Sequence, residues 1–99
     1  AAYEKKARFV TLHEKVAVLS AAERQMLREI ATDKDVRSGA LFERMKGLFN
    51  KKSFSQALTK LESYGLIDSN VVMMGRGRSR VFTPRFPSED ILAVLKDFS

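Results

Sequence analysis

Arg76, Arg78, Arg80 and Arg85 crowd one short stretch of this chain, and no Asp or Glu falls between residues 69 and 86. A guanidinium is a planar fork of donors that grips two oxygens of a phosphate or carboxylate at once and keeps its charge at physiological pH. Gly75 and Gly77 stand among these arginines. Residues without a Cβ let a turn take positive φ and let the backbone approach a partner closely. The chemistry on offer is polyanion binding. A second polar group lies upstream: Lys51, Lys52, Ser53, Ser55, Gln56, Thr59, Lys60 and Ser63. Short hydroxyl and amide side chains with cations at one end suit hydrogen bonds to phosphates and to base edges.

Bond-making chemistry lacks its parts. His13 is the only histidine, cysteine is absent, and the carboxylates do not cluster. A His-based triad, a thiolate nucleophile and a metal site are therefore not expected. Gly75–Arg80 lacks the Gly-Lys-Ser/Thr of a phosphate-cradling P-loop. The expectation is a protein that is not an enzyme, with no catalytic residues, no metal, no cofactor and no small-molecule substrate. His13 reads as a surface or part-buried helix residue, and Met26, Met45, Met73 and Met74 as core filler and hairpin packing.

The net charge of +6 is unevenly spread. Residues 1–43 carry a net +1, residues 44–86 a net +7, and residues 87–99 a net −2. The basic excess thus sits in the middle of the chain, where contacts to phosphates would release condensed counterions. With 44% apolar and 30% charged residues, the 99-residue chain has the composition of one ordinary globular domain. No apolar run approaches the roughly 20 residues of a membrane helix, and no signal-peptide pattern opens the chain. No membrane partner is expected, and the location expected is cytoplasmic and nucleoid-associated. The opening Ala1-Ala2-Tyr3 lacks Met and begins as if inside a helix. It reads as a piece of a longer protein, expected to be monomeric.

The elements that must position these residues follow from periodicity. Phe9, Leu12, Val16 and Leu19 recur at helical spacing within 3–19, as one helix or as two if Thr11 and Glu14 form a capping box. Ser20 and Glu23 form a clearer capping box, opening a helix over about 21–33 that buries Met26, Leu27 and Ile30. Val36-Arg37 allows a very short strand. Ser38 is an N-cap candidate for a helix to about Phe49, with Leu41, Phe42, Met45, Leu48 and Phe49 on one face. After a polar turn at 50–52, Ser53 is read as the cap of a helix that buries Phe54, Ala57, Leu58 and Leu61, with Gly65 as a left-handed C-cap. Two apolar runs, 68–74 and 80–83, flank the Gly/Arg segment 75–80 and predict a hairpin with that segment as its tip. Pro84 and Pro87 end it, and Ser88 is read as capping a last helix with Ile91, Leu92, Leu95 and Phe98 inward. The fold class expected is α+β, mainly α: a winged helix-turn-helix with an extra N-terminal helix and a C-terminal helix. Residues 1–19 read as an N-terminal helical segment, derived from a linker or lid, and 20–99 as the winged-helix domain.

Three stretches carry a family resemblance. Ser38-Gly39-Ala40-Leu41-Phe42-Glu43, Leu61-Glu62-Ser63-Tyr64-Gly65-Leu66-Ile67 and Val71-Val72-Met73-Met74-Gly75-Arg76-Gly77-Arg78-Ser79-Arg80 resemble the C-terminal winged helix of archaeal replication initiators, relatives of the origin-recognition and licensing ATPases. The Gly/Arg wing is the distinctive part. It departs from the family spacing by lacking a residue between Arg76 and Gly77, and it has Ser79 where the family has Thr. The resemblance implies double-stranded DNA as partner and origin recognition as role. By the resemblance, Arg76, Arg78, Ser79 and Arg80 are wing contacts, and Ser53, Ser55, Gln56, Thr59 and Lys60 are recognition-helix contacts. Lys51 and Lys52 join them from charge and position at the start of that helix. It also implies an ATPase module elsewhere in the parent protein. A winged-helix transcriptional regulator, and a protein-interaction winged helix that does not bind DNA, are the alternatives.

Overall fold

The computed structural model describes residues 11–33, 36–75 and 77–98. Phe9, the start of the N-terminal helix and Arg76 lie outside the described residues. Helix α1 is described over residues 11–17. It is followed by α2 (Ala21–Thr32), β1 (Val36–Arg37), α3 (Ser38–Met45), α4 (Lys51–Ser63), β2 (Ile67–Met74), β3 (Gly77–Pro84) and α5 (Ser88–Lys96). The strands form one antiparallel sheet in the order β1-β3-β2, so the last strand in sequence is the middle one.

The helices gather around one core because each carries an apolar stripe. Leu12 and Val16 of α1, Met26, Leu27 and Ile30 of α2, Leu41 of α3, Leu61 of α4, Phe82 of β3 and Ile91 and Val94 of α5 are all fully buried. Burial of each such side chain contributes about 1.5–3 kcal/mol, and this sets the helices against one another. Residues 11–19 thus pack within the same core as the rest.

The capping box before α2 forms as its spacing requires. The Ser20 N–H donates to Glu23 Oε1 at 2.8 Å and the Glu23 N–H donates to Ser20 Oγ at 3.2 Å. At the far end of α4, Gly65 has φ +72, and the N–H groups of Gly65 and Leu66 donate to the carbonyls of Glu62 and Leu61. That is the Schellman arrangement, and it turns the chain directly from α4 into β2.

Elsewhere the expected boundaries are corrected. Ser38 and Ser88 are the first residues of α3 and α5, and no side chain caps either helix. Helix α3 stops at Met45, whose carbonyl accepts from both Leu48 and Phe49. The chain tightens there, so Leu48 leaves the helical face and is 57% exposed. Ser53 is not the N-cap of α4; Asn50 is. The Asn50 side chain accepts from the Ser53 N–H at 2.8 Å, and the Ser53 hydroxyl accepts from the Asn50 N–H at 3.0 Å. Two reciprocal bonds settle the start of α4 at the earlier residue and bring Lys51 and Lys52 into its first turn. In α5, Val94 is fully buried while Leu92 and Phe98 only lie against the core.

Candidate nucleic-acid interface

Helix α4 presents two faces. Phe54, Ala57, Leu58 and Leu61 fill the core, which leaves Lys51, Lys52, Ser55, Gln56, Thr59 and Ser63 exposed. The outward residues 52, 55, 56, 59 and 63 form a stripe at helical spacing, one residue type after another able to donate or accept. Several hydroxyl donors are already used: Thr59 Oγ1 donates to the Ser55 carbonyl at 3.0 Å and Ser63 Oγ to the Lys60 carbonyl at 2.9 Å. Ser53 is occupied in the cap. Lys51 and Lys52 stand where the first backbone N–H groups of α4 point outward, and no acidic residue balances that turn. Two cations at the positive end of a helix dipole repel it mildly, and an anion placed there is attracted by both.

Lys60 differs from the others of this set. Its ammonium donates to Glu23 Oε1 at 2.9 Å, and its side chain is 34% exposed against 14% for Glu23. Burial pushes the Glu23 carboxyl up, but hydrogen bonds from the Ser20 N–H and Lys60 outweigh it, and the net direction is down. The hydrogen bond to Glu23 holds the Lys60 ammonium above its ordinary value.

The hairpin is tighter than its sequence indicates. Met74 pairs with Gly77, so only two residues separate the paired strands. Gly75 takes φ +55, while Gly77 is ordinary extended strand. Arg78, Ser79 and Arg80 therefore belong to β3 and not to the tip. They lie opposite Met73, Val72 and Val71. Side chains alternate along a strand, so Arg78 and Arg80 share one side of the ladder and Ser79 takes the other. The side of Arg78 and Arg80 is also that of Phe82, which is fully buried farther along. Where that side runs past the core it carries exposed Val71 and Met73, the latter 73% exposed in place of the packing role expected for it.

Two further cations alter the charge picture. Arg85 lies 3.5 Å from Asp68 across the hairpin base, so the acid-poor segment is partly balanced by a carboxylate just before it. Arg37, which the sequence marks only as strand, is exposed on β1 opposite Val81. It stands on the other side of the sheet from Arg78 and Arg80 and is not gathered with them. A lone basic residue in front of a small-residue helix start is its only signal.

His13 sits 3.5 Å from Asp97 and packs against Phe98 with ring centroids 4.9 Å apart and planes tilted by 43°, joining α1 to the end of α5. Among the described residues no group of three His, Asp or Glu side chains is placed to hold a metal ion, and no helix is long and apolar enough to cross a membrane.

Two helices joined by a short turn, then a two-stranded hairpin whose second strand also pairs with a strand before the first of those helices, make a winged helix-turn-helix. Over 83% of its length the chain is 37% identical to ORC1-type DNA replication protein 2 of Methanothermobacter thermautotrophicus. Over 82% it is 31% identical to the protein of that name from Methanosarcina acetivorans. The chain spans only 23% and 22% of the lengths of these curated relatives. Its fold superposes on the Aeropyrum pernix ORC1 protein, solved in complex with DNA, with a TM-score of 0.80 at 21% identity, covering 96% of this chain and 29% of that one. No family model matches the chain. The resemblance to archaeal replication initiators thus holds across most of the sequence.

Proposed function

We propose that this chain is the duplex-DNA-binding winged helix of a replication initiator, acting in origin recognition. In this reading α4 lies in the major groove, with Lys51, Lys52, Ser55, Gln56 and Thr59 toward phosphates and base edges. The hairpin lies on the adjacent minor groove or its phosphates, with Arg76, Arg78, Ser79 and Arg80 as its contacts. The observation that carries the reading is the paired placement of uncompensated cations. Lys51 and Lys52 begin the exposed helix of the helix-turn-helix, and Arg78 and Arg80 share one exposed side of the wing. Supporting it are the relatives named as replication proteins and the structural neighbour solved with DNA.

The other domains of the parent, including an ATPase module, and a boundary between segment 1–19 and the DNA-binding domain at 20–99 belong to the same reading. So do a monomeric state and a nucleoid-associated location. The test is a fluorescence titration with random-sequence duplex at two salt concentrations. Binding that weakens steeply with salt supports the reading, and absent or salt-independent binding overturns it in favour of a protein-interaction module. Sedimentation of the free chain separates a monomer from a dimeric regulator of transcription.

A further inference from the structure

Lys60 sits on the recognition helix but does not belong to its open stripe. It projects beside the buried Ala57 and Leu61, and its ammonium meets Glu23 Oε1 at 2.9 Å. The same oxygen accepts from the Ser20 N–H at 2.8 Å. One carboxylate oxygen therefore closes the cap of α2 and holds the last turn of α4. One turn on, the Lys15 ammonium of α1 donates to the carbonyl of Tyr64, the C-cap residue of α4. The Lys60 ammonium also lies 5.9 Å over the Tyr64 ring. The adjoining Arg24 is engaged in the same joint, donating to the carbonyls of Val16 and Ala17 at the end of α1.

We propose that Lys60 is a positioning residue, which with Lys15 latches the C-terminal half of the recognition helix to α1 and α2, and that it does not contact DNA. Side chains that read base edges must be held to within about 0.5 Å of their productive geometry. A helix fixed only by its apolar stripe can still slide or roll by that much, and directional bonds from two sides oppose both motions. To reach a phosphate, Lys60 would have to abandon a carboxylate that is mostly shielded from water, leaving that charge without its partner.

The inference rests on the DNA-binding reading, and its test separates the two. Duplex binding is measured over a salt series for the wild type, Lys60→Met, Glu23→Gln, the double variant and Lys60→Arg, at a temperature far below unfolding. Gln at 23 still accepts from the Ser20 N–H, so the cap survives while the ion pair does not. Lys60→Met is expected to weaken binding about twofold to thirtyfold, the range for residues that act through others. The log–log salt slope is expected to stay that of the wild type. Glu23→Gln is expected to weaken binding too, although it removes a negative charge from the protein. The double variant should be no weaker than Lys60→Met, and Lys60→Arg should recover most of the affinity.

A slope reduced by about 0.9 in Lys60→Met, or tighter binding in Glu23→Gln, makes Lys60 a phosphate contact and overturns the proposal. Lowered melting temperature with unchanged affinity also overturns it, leaving a purely structural pair. If the wild type shows no salt-dependent binding, the DNA reading fails, and the latch is judged in the free protein. Backbone amide resonances along 55–64 should then move alike in Lys60→Met and Glu23→Gln, and resonances that stay in place overturn it.

Discussion

Met73 faces Arg78 directly across the β2–β3 ladder, so the described part of the wing sets its most exposed large apolar side chain beside a cation. Val71 and Arg80 repeat the arrangement two pairs further along, the next pair on the same side. A surface that is apolar and cationic at once fits the sugar walls and phosphates of a nucleic-acid groove. Replacing Arg78 and Arg80 together by Ala should weaken duplex binding and lower the log–log salt slope by about 0.9 for each phosphate no longer neutralised. Both side chains are exposed, so the circular dichroism spectrum should not change. Unchanged affinity in an intact fold would remove the wing from the interface.

The start of α4 depends on Asn50. Asn50→Ala deletes one of its two reciprocal bonds with Ser53 and should lower stability by about 1 kcal/mol, read from urea unfolding. Ser53→Ala should lose less, because the Asn50 side chain still accepts from the backbone at 53. Equal losses would mean that the hydroxyl and the amide act as one unit.

The pair of Glu23 and Lys60 gives stability a pH dependence at both extremes. The Glu23 carboxyl lies below its ordinary value of 4.5 in the folded state, so the unfolded chain takes up its proton first as pH falls. The contribution is full above that value and is lost as pH falls through the folded one. The Lys60 ammonium lies above its ordinary value of 10.5, so its contribution is full below 10.5 and is lost as pH rises through the folded value. Glu23→Gln should flatten the acid limb of a stability profile, and an unaltered limb would show that other carboxyls govern it.

Two glycines should respond in opposite directions to alanine. Gly65 has φ +72, and a Cβ there would sit at an ordinary 3.6 Å from Lys15 Nζ, so the loss of about 1–2 kcal/mol in Gly65→Ala is conformational. Gly39 lies within α3 with nothing within 4 Å of the added carbon. Gly39→Ala should therefore gain about 0.4–1 kcal/mol. Thermal melts of the two variants decide the matter, and a stabilised Gly65→Ala would contradict the left-handed cap.

What can be read from the sequence is local. Ser20 and Glu23 lie three residues apart and need only each other, and the stripe of Phe54, Ala57, Leu58 and Leu61 needs only the helical period. Gly65 is legible because a C-cap after a polar turn of helix favours a residue without a Cβ. Asn50 and Ser53 are both good N-caps, and only the reciprocal bonds between them choose the first. The wing reads as a tip of six residues because composition says nothing of register. Pairing of Met74 with Gly77 shortens the tip to two and turns Arg78 and Arg80 into strand residues. The partner of Lys60 lies 37 residues away on another helix, and that of Arg85 across the hairpin base. Contacts of that kind are products of packing, and no periodicity announces them.

The strand order carries a consequence for how the chain assembles. Strand β1 pairs with β3 alone, through Val36 with Phe82 and Arg37 with Val81. Two residues cannot hold an extended strand by themselves, so β1 has no sheet to join until the hairpin has closed. On a ribosome, helices α1 to α4 leave the exit tunnel before β3, the middle strand of the sheet, has emerged behind them. The fold is thus completed from its carboxyl-terminal side, and α2 and α3 spend that interval with apolar faces that Phe82 and α5 have yet to cover.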